Sequence, residues 1–195
     1  MKPSWVFASN NTHKLEEVRK ILGAHVHILS LNDIDCHVNP EETGLTFAEN
    51  ALIKCRAVAE YTVLPVLADD SGLSVIALKG QPGVKSARYA GEGASDRDNM
   101  LKLLAEMQDH DDRRANFTAC LCLYGLHTEP QFFEGTVNGI IIREPEGSAG
   151  FGYDPVFVPD GYNVTFAEMG SELKNTISHR LMALNKLISS GVLSV

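Results

Sequence analysis

Val63-Leu64-Pro65-Val66-Leu67-Ala68-Asp69-Asp70-Ser71-Gly72-Leu73 is an apolar run that stops in two carboxylates, a hydroxyl and a glycine. Short apolar runs that end at turn residues read as buried strands. A strand that delivers Asp69, Asp70 and Ser71 at its end sets acids at the rim of a sheet, where α/β proteins bind ligands. Side chains alternate along extended chain, so the two acids are expected to point in different directions. One would face a metal or a water while the other braces the loop. The competing reading of the same residues is a polar turn, with aspartate as its initiator and Gly72 supplying positive φ.

Length and charge narrow the field around this stretch. A chain of 195 residues is one domain, large enough to bury most of its apolar surface without staples. The formal net charge is -8 and the pI is near 5.3, which argues against a general binder of nucleic acid or anionic membranes. A small anionic ligand remains compatible, because a few local Lys and Arg outweigh a distant negative surface. No apolar stretch approaches a membrane span, and Met1 to Phe7 shows no signal-peptide pattern. Cys36, Cys55, Cys120 and Cys122 form no CxxC pair and read as core thiols of a reduced, cytoplasmic protein.

Upstream, Trp5 to Ala8 reads as a first strand. Ser9-Asn10-Asn11-Thr12-His13-Lys14 then leads into a helix carried by Leu15, Val18 and Leu22 and ended by Gly23. A strand-to-helix junction offers open backbone N–H groups and a favourable dipole to anions, and Lys14 adds a point charge suited to a phosphate oxygen. Asn10 suits a left-handed turn position. A plain N-cap by Asn11 or Thr12 explains the same residues without a ligand. Val26 to Leu29 reads as a second strand. Thr46 and Glu49 form a capping box for a helix through Lys54 and Val58 to about Tyr61. That gives Glu49 a structural task, whereas Glu41 and Glu42 have none. Hard divalent ions such as Mg²⁺ take one or two carboxylates plus water and phosphate oxygens. Glu41 or Glu42 with Asp69 or Asp70 would suit one if the helix packs back on the strand.

Downstream, Ser95 and Asp98 open another capped helix, with Met100, Leu103, Leu104 and Met107 on one face. Phe117 to Leu126, Gln131 to Glu134 and Val137 to Arg143 read as three strands, joined by hairpins and partly antiparallel. Gly147 to Pro155 is rich in glycine and contains Phe151-Gly152-Tyr153-Asp154. Glycine lets backbone approach a flat ligand, and Phe151 or Tyr153 can stack on a base; a loop with its aromatics tucked into the core is the alternative. Val156 to Val158 reads as a short strand. A single helix is expected from Ser171 to Ile188, with Lys174, Ser178, His179 and Arg180 as its polar members. A solvated basic face accounts for those charges equally well.

Taken in order, these blocks resemble the inosine triphosphate pyrophosphatase family over nearly the whole chain. The carriers are Ser9 to Lys14, Glu42 to Ala51, Ala68 to Leu73, Ser86-Ala87-Arg88-Tyr89-Ala90-Gly91, Gly150 to Pro155 and Ser178-His179-Arg180. The resemblance implies an α/β fold of two lobes with a long mixed sheet flanked by helices and a central cleft, in a homodimer. It implies Mg²⁺-dependent hydrolysis of ITP, dITP and XTP to the monophosphate and pyrophosphate, which cleanses the nucleotide pool. Asp70 would be the general base, with Ser71 beside it. Ser9, Asn10, Asn11, Thr12, His13 and Lys14 would line the triphosphate. Phe151, Gly152, Tyr153, Asp154, Lys174, His179 and Arg180 would contact the substrate, mainly around the base. Glu41, Glu42 or both would join Asp70 at the metal. Asn10 stands where family members often have glycine, and Leu173 where an acid is common. A pyrophosphatase for other modified nucleotides and a non-catalytic nucleotide-binding module are the competing functions. Paired acids at 41–42 and 69–70 speak against the second, because a pure phosphate binder gains little from added negative charge.

Overall fold

The computed structural model describes residues 2–194. Its elements follow the order β1 (Ser4–Phe7), α1 (Thr12–Leu22), β2 (His27–Leu29), α2 (Phe47–Ala59), β3 (Val66–Val75), α3 (Asp96–Glu106), β4 (Arg114–Tyr124), β5 (Gln131–Ile141), β6 (Phe157–Pro159), α4 (Phe166–Ile177) and α5 (His179–Ser189). The strands form a six-stranded sheet ordered β2-β1-β3-β4-β5-β6. β1 pairs in parallel with β2 and β3, whereas β5 and β6 are antiparallel, so the sheet is mixed and the fold is α/β as expected. No helix among the described residues is long and apolar enough to cross a membrane.

The chain divides into two compact units. One holds the chain through Asp70, Ala119–Gly135 and Arg180 onward; the other holds Ser71–Thr118 and Thr136–His179. In the first unit, strand alternation sorts the core into two faces. Trp5, Phe7, Leu67, Ala119, Leu121 and Leu123 pack with Val18 and Leu22 of α1 and Ala183, Leu184 and Leu187 of α5. Val6, Ala8, Val66, Ala68 and Cys122 pack with Ala51, Cys55 and Val58 of α2. In the second unit, Leu73 and Val75 of β3 join Met100, Leu103 and Met107 beside Phe117, Phe157 and Phe166. The Phe117 and Phe157 rings meet edge to face with centroids 4.8 Å apart.

Capping boxes open three helices. Thr46 with Glu49, Ser95 with Asp98, and Thr165 with Glu168 each exchange side-chain acceptors for backbone donors. All four cysteines are buried free thiols, and burial pushes Cys120 up to about 12.

Several boundaries differ from the sequence reading. β3 does not stop at Ala68 but stays extended through Asp69–Gly72 to Val75. Gly72 is not there for positive φ. A β-carbon on it would meet the Ser86 hydroxyl and lie 2.5 Å from the Gly83 carbonyl oxygen. The Ser86 hydroxyl in turn accepts from Leu73 N at 2.9 Å, so glycine lets a neighbouring turn close on the strand. Gln131 to Ile141 is one strand rather than two, because Gly135 and Thr136 continue its extended backbone. The expected single helix from Ser171 to Ile188 is two helices. Ser178 is extended (φ -69°, ψ 153°), and a kink at Gly170 lies within α4. Asn10 does not adopt the left-handed conformation.

Candidate active site

Alternation along β3 sends Asp69 to the face of Leu67 and Asp70 to the face of Ala68, and each acid meets the helices packed on its own side. On the Leu67 face, Lys14 of α1 lies 3.2 Å from Asp69 Oδ2, and Arg180 of α5 donates from Nε to the same oxygen at 2.8 Å. Arg180 also pairs through Nη1 with Glu17 of α1. Lys14 and Glu17 share a helix face because they stand three residues apart. On the Ala68 face, Asn50 and Lys54 of α2 stand one turn apart. Asn50 Nδ2 donates to Asp70 Oδ2 at 3.3 Å, and Lys54 Nζ donates to Asp70 Oδ1 at 2.8 Å. Lys54 also donates to Glu42 Oε1 and to the Asp69 carbonyl, both at 2.9 Å. Asn50 Oδ1 accepts from Gly44 N at 2.8 Å, which ties the loop carrying Glu42 to α2.

These surroundings give the two neighbouring acids opposite electrostatics. Burial dominates at Asp70 and raises its pKa despite Lys54. At Asp69 burial acts the same way, but Arg180, Lys14 and Lys54 together outweigh it and hold the carboxyl well below the usual range. Burial lowers the pKa of Lys14, only partly offset by Asp69. For Lys54 burial is outweighed by Asp70 and Glu42, and the pKa rises. The outcome is one acid held ionised between two cations beside a second acid whose pKa burial raises.

The Ser9 to Lys14 junction is built as a capped helix start. Asn11 Oδ1 accepts from Lys14 N at 3.0 Å, and Ser9 Oγ accepts from Asn11 N at 3.2 Å. Asn10, Thr12 and His13 are exposed. Asn11 therefore performs the capping role that sequence offered as the alternative to ligand binding, while Lys14 is drawn into the acidic cluster. Glu42 is the half-buried partner of Lys54, so it has a structural task that sequence did not foresee. Glu41 is exposed. Among the described residues no three His, Cys, Asp or Glu side chains are arranged to hold a metal ion. The oxygens that suit Mg²⁺ are Glu42 Oε1, Asp70 Oδ1 and the Asp69 carbonyl, a hard donor set gathered on the Lys54 ammonium.

The second unit gathers the remaining expected residues. Asp154 is buried, accepting from Lys174 Nζ at 2.6 Å and from Phe151 N at 2.9 Å. Gly150 has φ 80°, and a β-carbon there would collide with that carboxylate. Lys174 Nζ also lies 4.6 Å from the Phe151 ring centroid, a cation–π contact. Gly152 N donates to Asp96 Oδ2 at 2.8 Å. Tyr153 is not available to stack on a base: its ring is buried in the core, and its hydroxyl donates to the Ser86 carbonyl at 2.8 Å. His179 is buried and stacks on Phe117 with centroids 5.0 Å apart and an interplanar angle of 10°. Ser71 is half-buried at the position following Asp70 on β3. Asn50, Lys54 and Glu17 are the members of this architecture that motif reading does not single out. Their signal is helical spacing, 50 with 54 and 14 with 17, on faces that also carry core residues.

Comparison with known proteins supplies the family. The Ham1 family model matches residues 5–190. A dITP/XTP pyrophosphatase of Porphyromonas gingivalis is 47% identical over 183 residues, 93% of this chain and 94% of that protein. One from Flavobacterium psychrophilum is 46% identical over 183 residues, 94% and 96% of the two chains. The solved Staphylococcus aureus Ham1 protein superposes with a TM-score of 0.88 at 42% identity, covering 96% of this chain and 97% of that one. A HAM1 protein from Coxiella burnetii gives a TM-score of 0.89 at 40% identity, covering 96% and 98%. The chain belongs to the Ham1 family, in agreement with the resemblance carried by its motifs.

Proposed function

We propose that this protein hydrolyses non-standard purine nucleoside triphosphates, ITP, dITP and XTP, to the monophosphate and pyrophosphate with Mg²⁺, and so cleanses the nucleotide pool. The observation that carries the reading is the pair Asp69 and Asp70, one ionised between Lys14 and Arg180 and the other raised in pKa beside Lys54 and Glu42. A carboxylate of raised pKa is a stronger base toward water than an ordinary aspartate. Asp70 accordingly holds and deprotonates the attacking water for in-line displacement at the α-phosphorus, an assignment that follows the family resemblance. Lys14, anchored by Asp69, supplies positive charge to the phosphate oxygens. Glu42, Asp70 and the Asp69 carbonyl are the groups that would hold Mg²⁺, which supplies charge neutralisation at the phosphates and orientation of the leaving pyrophosphate.

Base choice is assigned by resemblance to Phe151, Lys174, His179 and Arg180 and to backbone donors near Phe151. Donors aimed at O6 select 6-oxo purines, because the 6-amino group of adenine leaves them unpaired. The relatives named dITP/XTP pyrophosphatases support this substrate class. A homodimer is part of the same proposal.

The test is a product panel. Purified protein is incubated with Mg²⁺ and ITP, XTP, GTP or ATP, and pyrophosphate and orthophosphate are measured separately. Pyrophosphate from ITP and XTP, with kcat/KM at least about 100-fold above that for ATP, is the expected outcome for donors left unpaired by the wrong base. Orthophosphate instead would place the cleavage at the γ end and contradict the mechanism. Absence of any release would favour a pyrophosphatase for other modified nucleotides, or a binding module.

A further inference from the structure

The Lys54 ammonium stands where the proposed cation ligands converge. It has three hydrogens, and they go to Glu42 Oε1, Asp70 Oδ1 and the Asp69 carbonyl at 2.8–2.9 Å. The other oxygen of Asp70 is held by Asn50 at 3.3 Å, so both oxygens of that carboxylate are engaged. The pocket of oxygens is thus filled from within by a cation that the chain itself provides. An ammonium seated on these oxygens disfavours a divalent ion among them, because the two cations repel each other at close range in a poorly solvated site.

From this geometry we infer that Lys54 is a built-in counter-ion that competes with the divalent cation for Glu42 and Asp70. The cation therefore enters only as Lys54 is drawn away to another anion, such as the phosphates of the nucleotide that carries it. The inference rests on the Mg²⁺ reading above and adds an order to it: metal and nucleotide load together, and the metal alone binds weakly. Lys54 thus acts as a positioning residue, keeping the two carboxylates together and partly neutralised until substrate arrives.

The test is Mn²⁺ binding to the protein without nucleotide, followed by the loss of the free-ion electron paramagnetic resonance signal. Lys54→Met is expected to bind Mn²⁺ at least about tenfold more tightly than wild type, because a competing cation is removed from hard oxygen ligands. The gain is expected to vanish in Lys54→Met/Glu42→Gln. Equal affinity of Lys54→Met and wild type, or a gain that survives loss of Glu42, would overturn the inference. Should Lys54→Met fail to fold by circular dichroism, wild-type crystals soaked in Mn²⁺ decide. An ion bound at Glu42 and Asp70 with the ammonium still on both carboxylates contradicts the inference. No ion, or an ion with Lys54 displaced, upholds it. Failure of the activity reading shows separately, as absence of pyrophosphate from every purine triphosphate in the panel.

Discussion

Asp70→Asn is expected to lower kcat for pyrophosphate release by about 10²–10⁴-fold, the usual contribution of a general base, while leaving the protein folded. The amide keeps the shape of the side chain and an acceptor for Asn50 or Lys54, but it cannot take a proton from water. Lys54 retains Glu42 and the Asp69 carbonyl as partners, so no buried ammonium is left bare. The pH profile checks the same role independently. Burial raises the Asp70 pKa above the ordinary 3.8, so the acid limb of kcat/KM is expected above that value. The sign follows from the base being active only when ionised: the rate falls as pH falls through the raised pKa. On the alkaline side, burial lowers the Lys14 pKa from 10.5, so loss of its charge is expected to depress the rate earlier than an ordinary lysine would. An Asp70→Asn enzyme with wild-type kcat, or a rate flat across the acid range, would remove Asp70 from the chemistry.

Arg180→Met is expected to carry the largest stability cost. Arg180 is buried with Asp69 and Glu17 as its carboxylate partners, and Asp69 Oδ1 is a buried atom with no hydrogen-bond partner among the described residues. Removing one member of a buried ionic network leaves the others uncompensated, at about 3–5 kcal/mol. For a chain of this size that corresponds to a fall in Tm on the order of 10 °C. Arg180→Lys is expected to recover only part of it, because an ammonium cannot fork between two carboxylates as a guanidinium does. The network also has a pH signature. Asp69 has its folded pKa depressed, so its stabilising contribution is present above the ordinary aspartate pKa of 3.8 and is lost as pH falls below it. Arg180→Met, which removes the strongest opposing charge, is expected to begin acid unfolding at higher pH than wild type. Thermal melts from pH 3 to pH 7 measure both effects, and an unchanged Tm at pH 7 would show that Lys14 alone balances Asp69.

What the sequence reveals of this arrangement depends on how local each cause is. Capping boxes at Thr46 and Ser95 are legible because donor and acceptor lie three residues apart. The divergence of Asp69 and Asp70 follows from the pleat alone. Their continuation as strand is not legible, since Asp, Ser and Gly favour turns locally. Here α1 and α5 answer one acid, α2 answers the other, and the turn closing on Gly72 fixes the rest of the strand. The break at Ser178 is hidden for a related reason. Helical spacing runs on across it, and one extended ψ changes the direction of the chain without altering the pattern. Lys54 reads as an ordinary surface charge of a capped helix until α2 is laid against β3. Tyr153 shows the opposite failure: an aromatic in a glycine-rich loop suggests stacking on a base, but its hydroxyl finds the Ser86 carbonyl and the ring becomes core.

The most direct test of the central claim is hydrolysis of ITP in water enriched in oxygen-18, with mass analysis of both products. Water activated by Asp70 and aimed at the α-phosphorus predicts one heavy oxygen in the inosine monophosphate and none in pyrophosphate. Label in pyrophosphate or orthophosphate would mean attack at a different phosphorus and would contradict the account.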